Sequence, residues 1–180
     1  MIRARRKFSK INHLSVREKA QADNAWNRCE PFFEETSQRL GRLELEGISR
    51  HSKSWRGHYL SEVYRFVLSL LEQRDVDMLK QDFYLMAARE SNNPEQRNLF
   101  NLAIQAFETD HPFGISKQSR SEYANALAYA WKHSIPHQLV WGFILQIGGV
   151  KKAAKKQGQV DTMEDWARTP PPWETYAPLN

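Results

Sequence analysis

The sequence has one cysteine, Cys29, among its 180 residues. No intramolecular disulfide can form, which excludes a disulfide-stabilised scaffold and agrees with a reducing compartment. Long hydrophobic runs are also missing. The longest apolar stretch, residues 139–150, is interrupted by Gly142 and Gln146, whereas a membrane-spanning helix needs about 20 apolar residues. No apolar segment follows the basic N-terminus, so we expect a cytoplasmic or nucleoid-associated protein that is not secreted and has no membrane partner.

Motifs of common catalytic and phosphate-binding chemistry are absent as well. The sequence contains neither G-x-G-x-x-G nor G-x-x-x-x-G-K-[ST], and no G-x-S-x-G. A single cysteine excludes a zinc site built on several cysteines. His133 and His137 are four residues apart, but Pro136 between them predicts a break in the helical face that two metal ligands would need. We therefore expect no metal, no cofactor and no enzymatic activity.

Acidic residues are missing from two zones of the chain. Residues 1–17 hold six basic side chains and no acidic one, and residues 123–160 hold five lysines and no acidic one. Between them, residues 18–122 hold 14 basic and 17 acidic side chains, so the excess behind the net charge of +5 lies in the two zones. Concentrated positive charge is typical of proteins that bind nucleic acids or other anionic surfaces. A solvated basic face without a partner is the alternative.

Hydrophobic spacing predicts an all-α fold, a single domain of seven to nine helices. Apolar residues recur with helical spacing in four stripes, between residues 60 and 71, 99 and 107, 123 and 131, and 139 and 147. Burial of each large apolar side chain contributes about 1.5–3 kcal/mol, so these stripes suffice for one core. The predicted organisation is a flexible basic arm (1–13), a helical domain (14–168) and a proline-rich tail (169–180).

Capping residues, prolines and glycines give the predicted helix boundaries. Ser15 and Glu18 have the spacing of a capping box for a helix that ends near Cys29, and Pro31 is expected to begin another helix. Alternation in residues 42–46 favours a short hairpin near 40–48 as the competing prediction. Further expectations are a loop over 47–57, helix starts at Asn93 and Ser119, and a helix over 136–147 that is apolar nearly all round, as is typical of a helix central to a core.

The segment 150–157 is predicted to form a short helix with its lysines on one face. At about 100° per residue, four lysines fall within about 140° of one another, and small residues fall opposite them. These lysines are Lys151, Lys152, Lys155 and Lys156. Lysines in a first turn oppose the helix dipole, and like charges four residues apart repel each other. Because helix stability does not favour this arrangement, the lysines indicate an anionic partner.

The glycines around this helix have two interpretations. Gly148 and Gly149 precede it and can offer backbone N–H groups to a phosphate, although two glycines after an apolar helix more often form a C-cap and a turn. Ala154 and Gly158 also fit a helix-turn-helix over residues 150–168. The second helix of that motif would be acidic, which disfavours it as a DNA-reading element.

A second basic segment, residues 50–58, combines cations with aromatic rings. Basic side chains neutralise phosphates, and aromatic rings stack on unpaired bases. The candidates here are Arg50, Lys53, Trp55 and Arg56, and those of the N-terminal arm are Arg3, Arg5, Arg6, Lys7 and Lys10. Trp55 has a structural alternative, in which its ring packs against the helix that follows.

Together these patterns predict a non-enzymatic nucleic-acid-binding protein with an accessory or regulatory role. The basic arm and the lysine helix would bind phosphates of DNA or RNA largely independently of sequence. The alternative is a protein-interaction module, an adaptor or an inhibitor, whose basic zones dock on an acidic partner surface. The sequence leaves the oligomeric state open.

Overall fold

The computed structural model of the chain describes residues 14–49, 52–87, 97–110 and 113–159. Within these ranges the fold is all-α, as predicted, with seven α-helices. They are α1 (Val16–Leu45), α2 (Lys53–Leu71), α3 (Val76–Met86), α4 (Leu99–Asp110), α5 (Lys117–Lys132), α6 (Val140–Gln146) and α7 (Val150–Gln157), with a 3-10 turn at His137–Leu139. None of the helices described is long and apolar enough to cross a membrane. The predicted arm and tail, Arg50 and the helix start at Asn93 lie outside the described residues.

Helix α1 is continuous, and the prediction that Pro31 separates two helices is wrong. One buried stripe runs along the whole helix. Its members are Ala22, Ala25, Trp26, Cys29, Phe33, Thr36 and Leu40. Proline inside a helix costs about 3 kcal/mol, but burial of this stripe outweighs that cost. Pro31 and Asn27, whose carbonyl loses its helical N–H partner, both lie on the exposed side. Because residues 40–45 are helical, the hairpin near 40–48 is not formed.

Side-chain caps begin the helices earlier than the sequence indicated at two places. The Ser52 hydroxyl accepts the N–H of Trp55 at 3.0 Å, so α2 starts at Lys53 and the second half of the predicted loop over 47–57 is helical. The Ser116 hydroxyl accepts the N–H of Ser119 at 3.1 Å, so the N-cap of α5 lies three residues before the predicted one and the helix starts at Lys117. In both cases an upstream serine satisfies an amide of the first turn.

The core lies where α1, α2 and α4 meet and is rich in aromatic rings. The ring of Phe33 packs against Trp26, Phe66 and Phe107, with centroid distances of 5.3, 5.0 and 4.8 Å. The predicted stripe of α2 faces this core, and its Tyr64 hydroxyl donates to the carbonyl of Ile135 at 2.9 Å. Helix α2 is therefore the central element that joins the first helices to the last ones.

Helix α6 lies at the surface, and the prediction of a helix central to the core is wrong. Its buried residues are Val140, Phe143 and Ile144. Leu139 and Leu145 lie on the opposite side and are 50% and 48% exposed. The helix packs on α2 and α5 with one face only, so its apolar composition overstates its burial. Trp131 of α5, predicted to point inward, is likewise 38% exposed.

A close contact between Gly57 and Trp141 joins α6 to the first turns of α2. A Cβ atom added to Gly57 would lie 2.6 Å from Nε1 of the Trp141 indole, so only glycine lets the ring approach this closely. Helix α7 packs along α5, and residues from the starts of α2, α5 and α7 line one cleft. The start of α2, the start of α5 and the start of α7 are thereby brought together.

Candidate nucleic-acid interface

The four lysines of α7 lie on the side of the helix that faces away from α5, as the sequence predicts. Val150 and Ala153 are buried against the domain, whereas Lys151, Lys152 and Lys155 are exposed. Lys156 is half-buried, at the edge of this surface. We call these four side chains the lysine face. Its position follows from helix geometry, because the small residues of α7 are the ones that fit against α5.

A cleft of about 530 Å³ lies beside the lysine face, between α2, α5 and the start of α7. Arg56 of α2 and Lys151 of α7 both line it, so the cleft joins the two basic segments that the sequence singled out separately. Its remaining lining residues are Gln118, Ser119, Glu122, Tyr123, Gly148, Gly149 and Val150. All but the two glycines and Val150 come from α5, whose part in the site the sequence did not indicate.

The charged groups of the cleft are not paired with one another. Neither Arg56 nor Lys151 has a carboxylate partner among the residues the structure describes. Glu122 accepts one hydrogen bond, from the side-chain amide of Gln118 at 3.1 Å, and forms no ion pair with either cation within the described ranges. The cleft therefore keeps two cations and one anion in separate positions, each available to an incoming ligand.

The start of α7 adds backbone donors to the rim of this cleft. Gly148 and Gly149 have φ values of 103° and 99°, in the region that favours glycine. Their N–H groups donate to the carbonyls of Leu145 and Ile144, at 2.9 and 2.8 Å, and so cap α6. Gly149 is also the N-cap of α7 and has no side chain to satisfy the first-turn amides. The structure thus fits the C-cap interpretation of the glycine pair, because the N–H groups of both glycines are used within the fold and are not offered to a phosphate.

Trp55 is 3% exposed, and its ring packs against two other aromatic side chains. The indole stacks on Tyr59 at a centroid distance of 5.3 Å and an angle of 12°, and Phe113 packs against it at 5.5 Å. A base could not reach the ring without displacing part of the core. The predicted base-stacking role of Trp55 is therefore unsupported, and its structural alternative fits the observed position.

Behind this aromatic group, the half-buried carboxylate of Glu108 holds the loop that precedes α5. It accepts the N–H groups of Phe113 and Ile115, at 3.1 and 3.5 Å. Burial raises the pKa of Glu108, and these hydrogen bonds and the charge of Arg120 only partly oppose the effect. The neighbouring Tyr59 hydroxyl also has its pKa raised, first by burial and then by the charge of Glu108. The pair is a structural support of the cleft wall and does not line the cleft itself.

His133 lies beneath the other end of the lysine face. Its ring packs between Tyr129 and Phe143, with centroid distances of 4.5 and 5.6 Å. Burial and then the charges of Lys132 and Lys156 lower the pKa of His133 below its usual value. The imidazole is therefore neutral at physiological pH and adds no charge to the lysine face.

Of the other predicted contacts, only Lys53 lies in the described part of the chain. It is exposed in the first turn of α2, one turn from Arg56, and does not line the cleft. Arg50 and the arm residues Arg3, Arg5, Arg6, Lys7 and Lys10 lie outside that part. The ranges described contain no group of three or more histidine, cysteine or carboxylate side chains placed to hold a metal ion.

Comparison of the chain with protein-family models, curated proteins and solved structures gives no match. The function of the protein is therefore inferred from the geometry and charge of its own residues.

Proposed function

We propose that this protein binds nucleic acid through a basic surface formed by the lysine face, Arg56 and Lys53. One observation carries the proposal: Arg56 and Lys151, which are 95 positions apart in the sequence, line the same cleft without a carboxylate partner in the described residues. Unpaired cations that converge from separate helices are the arrangement that phosphate binding requires. The arm residues would add further cations to this surface.

The contrast with four of the other arginines supports the proposal. Arg28 joins α1 to α3, Arg39 and Arg65 join α1 to α2, and Arg74 joins the α2–α3 connection to α3, each through a carboxylate within 3.2 Å. Arg56 is half-buried like Arg65 and Arg74 but takes no part in such a pair. A cation that the fold does not use for its own cohesion remains available to an external phosphate.

The proposed mode of binding is contact with the phosphate backbone. Lysine and arginine side chains position a nucleic acid through its phosphates and read no sequence in doing so. Because Trp55 is covered, it provides no stacking platform beside the cations. We therefore propose binding with little sequence preference and with a steep dependence on salt, since each neutralised phosphate releases counterions. Such a protein would act as an accessory or regulatory factor and not as an enzyme.

The test is charge reversal of the lysine face. The double variant Lys151→Glu with Lys155→Glu should bind mixed-sequence oligonucleotides at least about 10-fold more weakly at low salt, since a charge-assisted contact is worth about 1.5–3 kcal/mol. Both side chains are exposed, so thermal unfolding should change little. The matched control is Lys19→Glu with Arg42→Glu on α1, which changes the net charge equally but lies outside the cleft and the lysine face.

Equal loss of affinity in both double variants would show that only net charge matters, and unchanged affinity in the first would remove the lysine face from the mechanism. If oligonucleotides fail to bind but an acidic polypeptide such as polyglutamate binds the wild type and not the first variant, the protein-interaction alternative is the correct one.

A further inference from the structure

The cleft offers more than a contact for one phosphate. Its volume of about 530 Å³ falls within the range of about 300–1,000 Å³ typical of small-ligand pockets. Arg56 and Lys151 can neutralise a phosphate, whereas Glu122 lies in the same cleft and would repel a second one. A ligand that matches all three groups carries both an anion and hydrogen-bond donors.

Glu122 is placed to select such donors. One carboxylate oxygen accepts from Gln118 at 3.1 Å, and the other accepts nothing from the described residues. Sugar hydroxyl groups and the amino groups of bases are donors that a carboxylate accepts. Tyr123 follows Glu122 on α5, lines the same cleft and is half-buried, so an aromatic ring borders the space next to the carboxylate.

We propose that this cleft binds one nucleoside monophosphate unit, with its phosphate on Arg56 and Lys151 and its nucleoside on Glu122. The unit is either a free nucleotide or the terminal nucleotide of a strand. In the second case the inference rests on the proposed function. The basic surface then binds phosphates anywhere along a strand, and the cleft adds a preference for the end of the strand.

The first experiment is calorimetric titration with adenosine monophosphate, inorganic phosphate and adenosine separately. We expect adenosine monophosphate to bind at least about 10-fold more tightly than either component, because it offers an anion to the two cations and hydrogen-bond donors to Glu122. Arg56→Gln should weaken its binding about 10-fold, since a charge-assisted contact is lost. The control Arg42→Gln, an exposed arginine at the end of α1, should leave its binding unchanged.

The decisive variant is Glu122→Gln. If electrostatics alone matters, removal of this negative charge should strengthen the binding of inorganic phosphate and of adenosine monophosphate by the same factor. The proposal predicts the opposite for the nucleotide: its affinity falls about 5-fold or more while that of phosphate stays or rises. A parallel rise for both ligands, or no binding of the nucleotide by the folded wild type, overturns the proposal.

The second experiment identifies the source of the nucleotide. Linear oligonucleotides with a 5′-phosphate are compared with 5′-hydroxyl and circular ones of equal length and composition. Tighter binding of the phosphorylated end, lost in Glu122→Gln, assigns the cleft to strand ends. Equal binding of all three, together with binding of adenosine monophosphate, assigns it to a free nucleotide.

These results also separate the two proposals. Salt-dependent binding of circular strands without binding of adenosine monophosphate and without an end preference refutes the cleft inference and leaves the proposed function intact. Binding of adenosine monophosphate without binding of any oligonucleotide refutes the proposed function and supports the cleft as a nucleotide site.

Discussion

Two charged regions of this protein contrast in how their side chains are used. On the side where α1 meets α2 and α3, Arg39 and Arg65 share the carboxylates of Glu35 and Glu62 at 2.6–3.2 Å, and Asp82 accepts from both Arg28 and Arg74. The Arg65 hydrogen bond and charge lower the pKa of Glu35. On the side of the cleft, Arg56, Lys151 and Glu122 lie in one space and form no pair within the described residues.

The difference separates two uses of charge in one fold. We call the first region, in which the arginines and carboxylates form ion pairs, the paired region. It links three helices, and its charges largely neutralise one another within the fold. The cleft region has the same kinds of side chain but does not use them for cohesion, although neighbouring opposite charges would stabilise each other if they met. Substitutions in the first region should therefore change stability, and those in the second should change binding.

The largest loss of stability is expected where the cleft region meets the core, at Gly57. In Gly57→Ala the new Cβ would collide with the Trp141 indole, 2.6 Å away, so the ring or α6 must move. Such overpacking costs about 1–3 kcal/mol, measured by denaturant unfolding, and oligonucleotide affinity should fall with it. The control is Gly41→Ala in α1, where nothing lies within 4 Å of the added Cβ. Gly41→Ala should raise the free energy of unfolding by up to about 1 kcal/mol. A similar loss of unfolding free energy in both variants would contradict the proposed collision with Trp141.

A smaller loss is expected in the paired region. Asp82→Asn leaves Arg28 and Arg74 with a weaker acceptor and should cost about 1–2 kcal/mol, between the values for exposed and buried pairs. Denaturant unfolding measures this loss, because Asp82 also contributes, after burial, to the pKa of the nearby Cys29 thiol, which is raised to about 12, so its removal would change thiol labelling by itself. A lower free energy of unfolding with unchanged oligonucleotide affinity is the expected result. The control is Glu34→Gln, which changes an exposed carboxylate on α1. Loss of oligonucleotide affinity in Asp82→Asn would show that the first region also takes part in binding.

Ser119→Asp should move stability and binding in opposite directions. The new carboxylate lies in the first turn of α5, where the helix dipole favours it by about 0.3–1 kcal/mol, and in the cleft beside the unpaired cations. We expect a slightly higher melting temperature and weaker binding of oligonucleotides. Ser121→Asp carries the same charge on the same helix but outside the cleft, and it should lower affinity less. An equal loss of oligonucleotide affinity in the two variants would contradict phosphate binding in the cleft.

The smallest effect is a pH dependence at Glu108. Burial raises its pKa above that of the unfolded chain, so the folded protein favours the protonated form, and its stability decreases as pH rises through the interval between the two pKa values. Glu108→Gln removes this dependence. Melting temperatures measured across pH should therefore show a difference, variant minus wild type, that grows with rising pH. His133 titrates in both proteins, so its contribution cancels, and a difference that grows towards low pH would contradict this sign.

The predictability of the fold from sequence follows from how local each signal is. The stripe of α2 and the lysine face of α7 could be predicted because each depends on the spacing of residues within one helix. The continuity of α1 could not, because Pro31 is a local signal to stop and the buried stripe that overrides it is satisfied only by contacts with other helices. The burial of α6 could not be predicted, because composition does not show that one of its faces has no neighbour among the described residues.

The candidate site divides in the same way. Lys151 and Arg56 were identified as cations from their basic segments, but their convergence depends on how α2 and α7 pack around α5. Glu122 and Gln118 carried no signal, since their part in the site exists only in the cleft. The choice between the two predicted roles of Trp55 could not be made from the sequence, because alternation of cations and rings does not distinguish an exposed indole from a buried one.

The most direct measurement is the salt dependence of binding to a duplex oligonucleotide, for the wild type, Arg56→Gln and Lys151→Gln. The logarithm of the binding constant should fall linearly with the logarithm of salt concentration, with a slope of about −0.9 for each neutralised phosphate. We expect each of these two substitutions to remove one phosphate contact and so to reduce the magnitude of the slope by about 0.9. The control Arg42→Gln should leave the slope unchanged. Absence of binding at low salt, or the same slope in all four proteins, would contradict the claim that unpaired cations at this cleft bind phosphates.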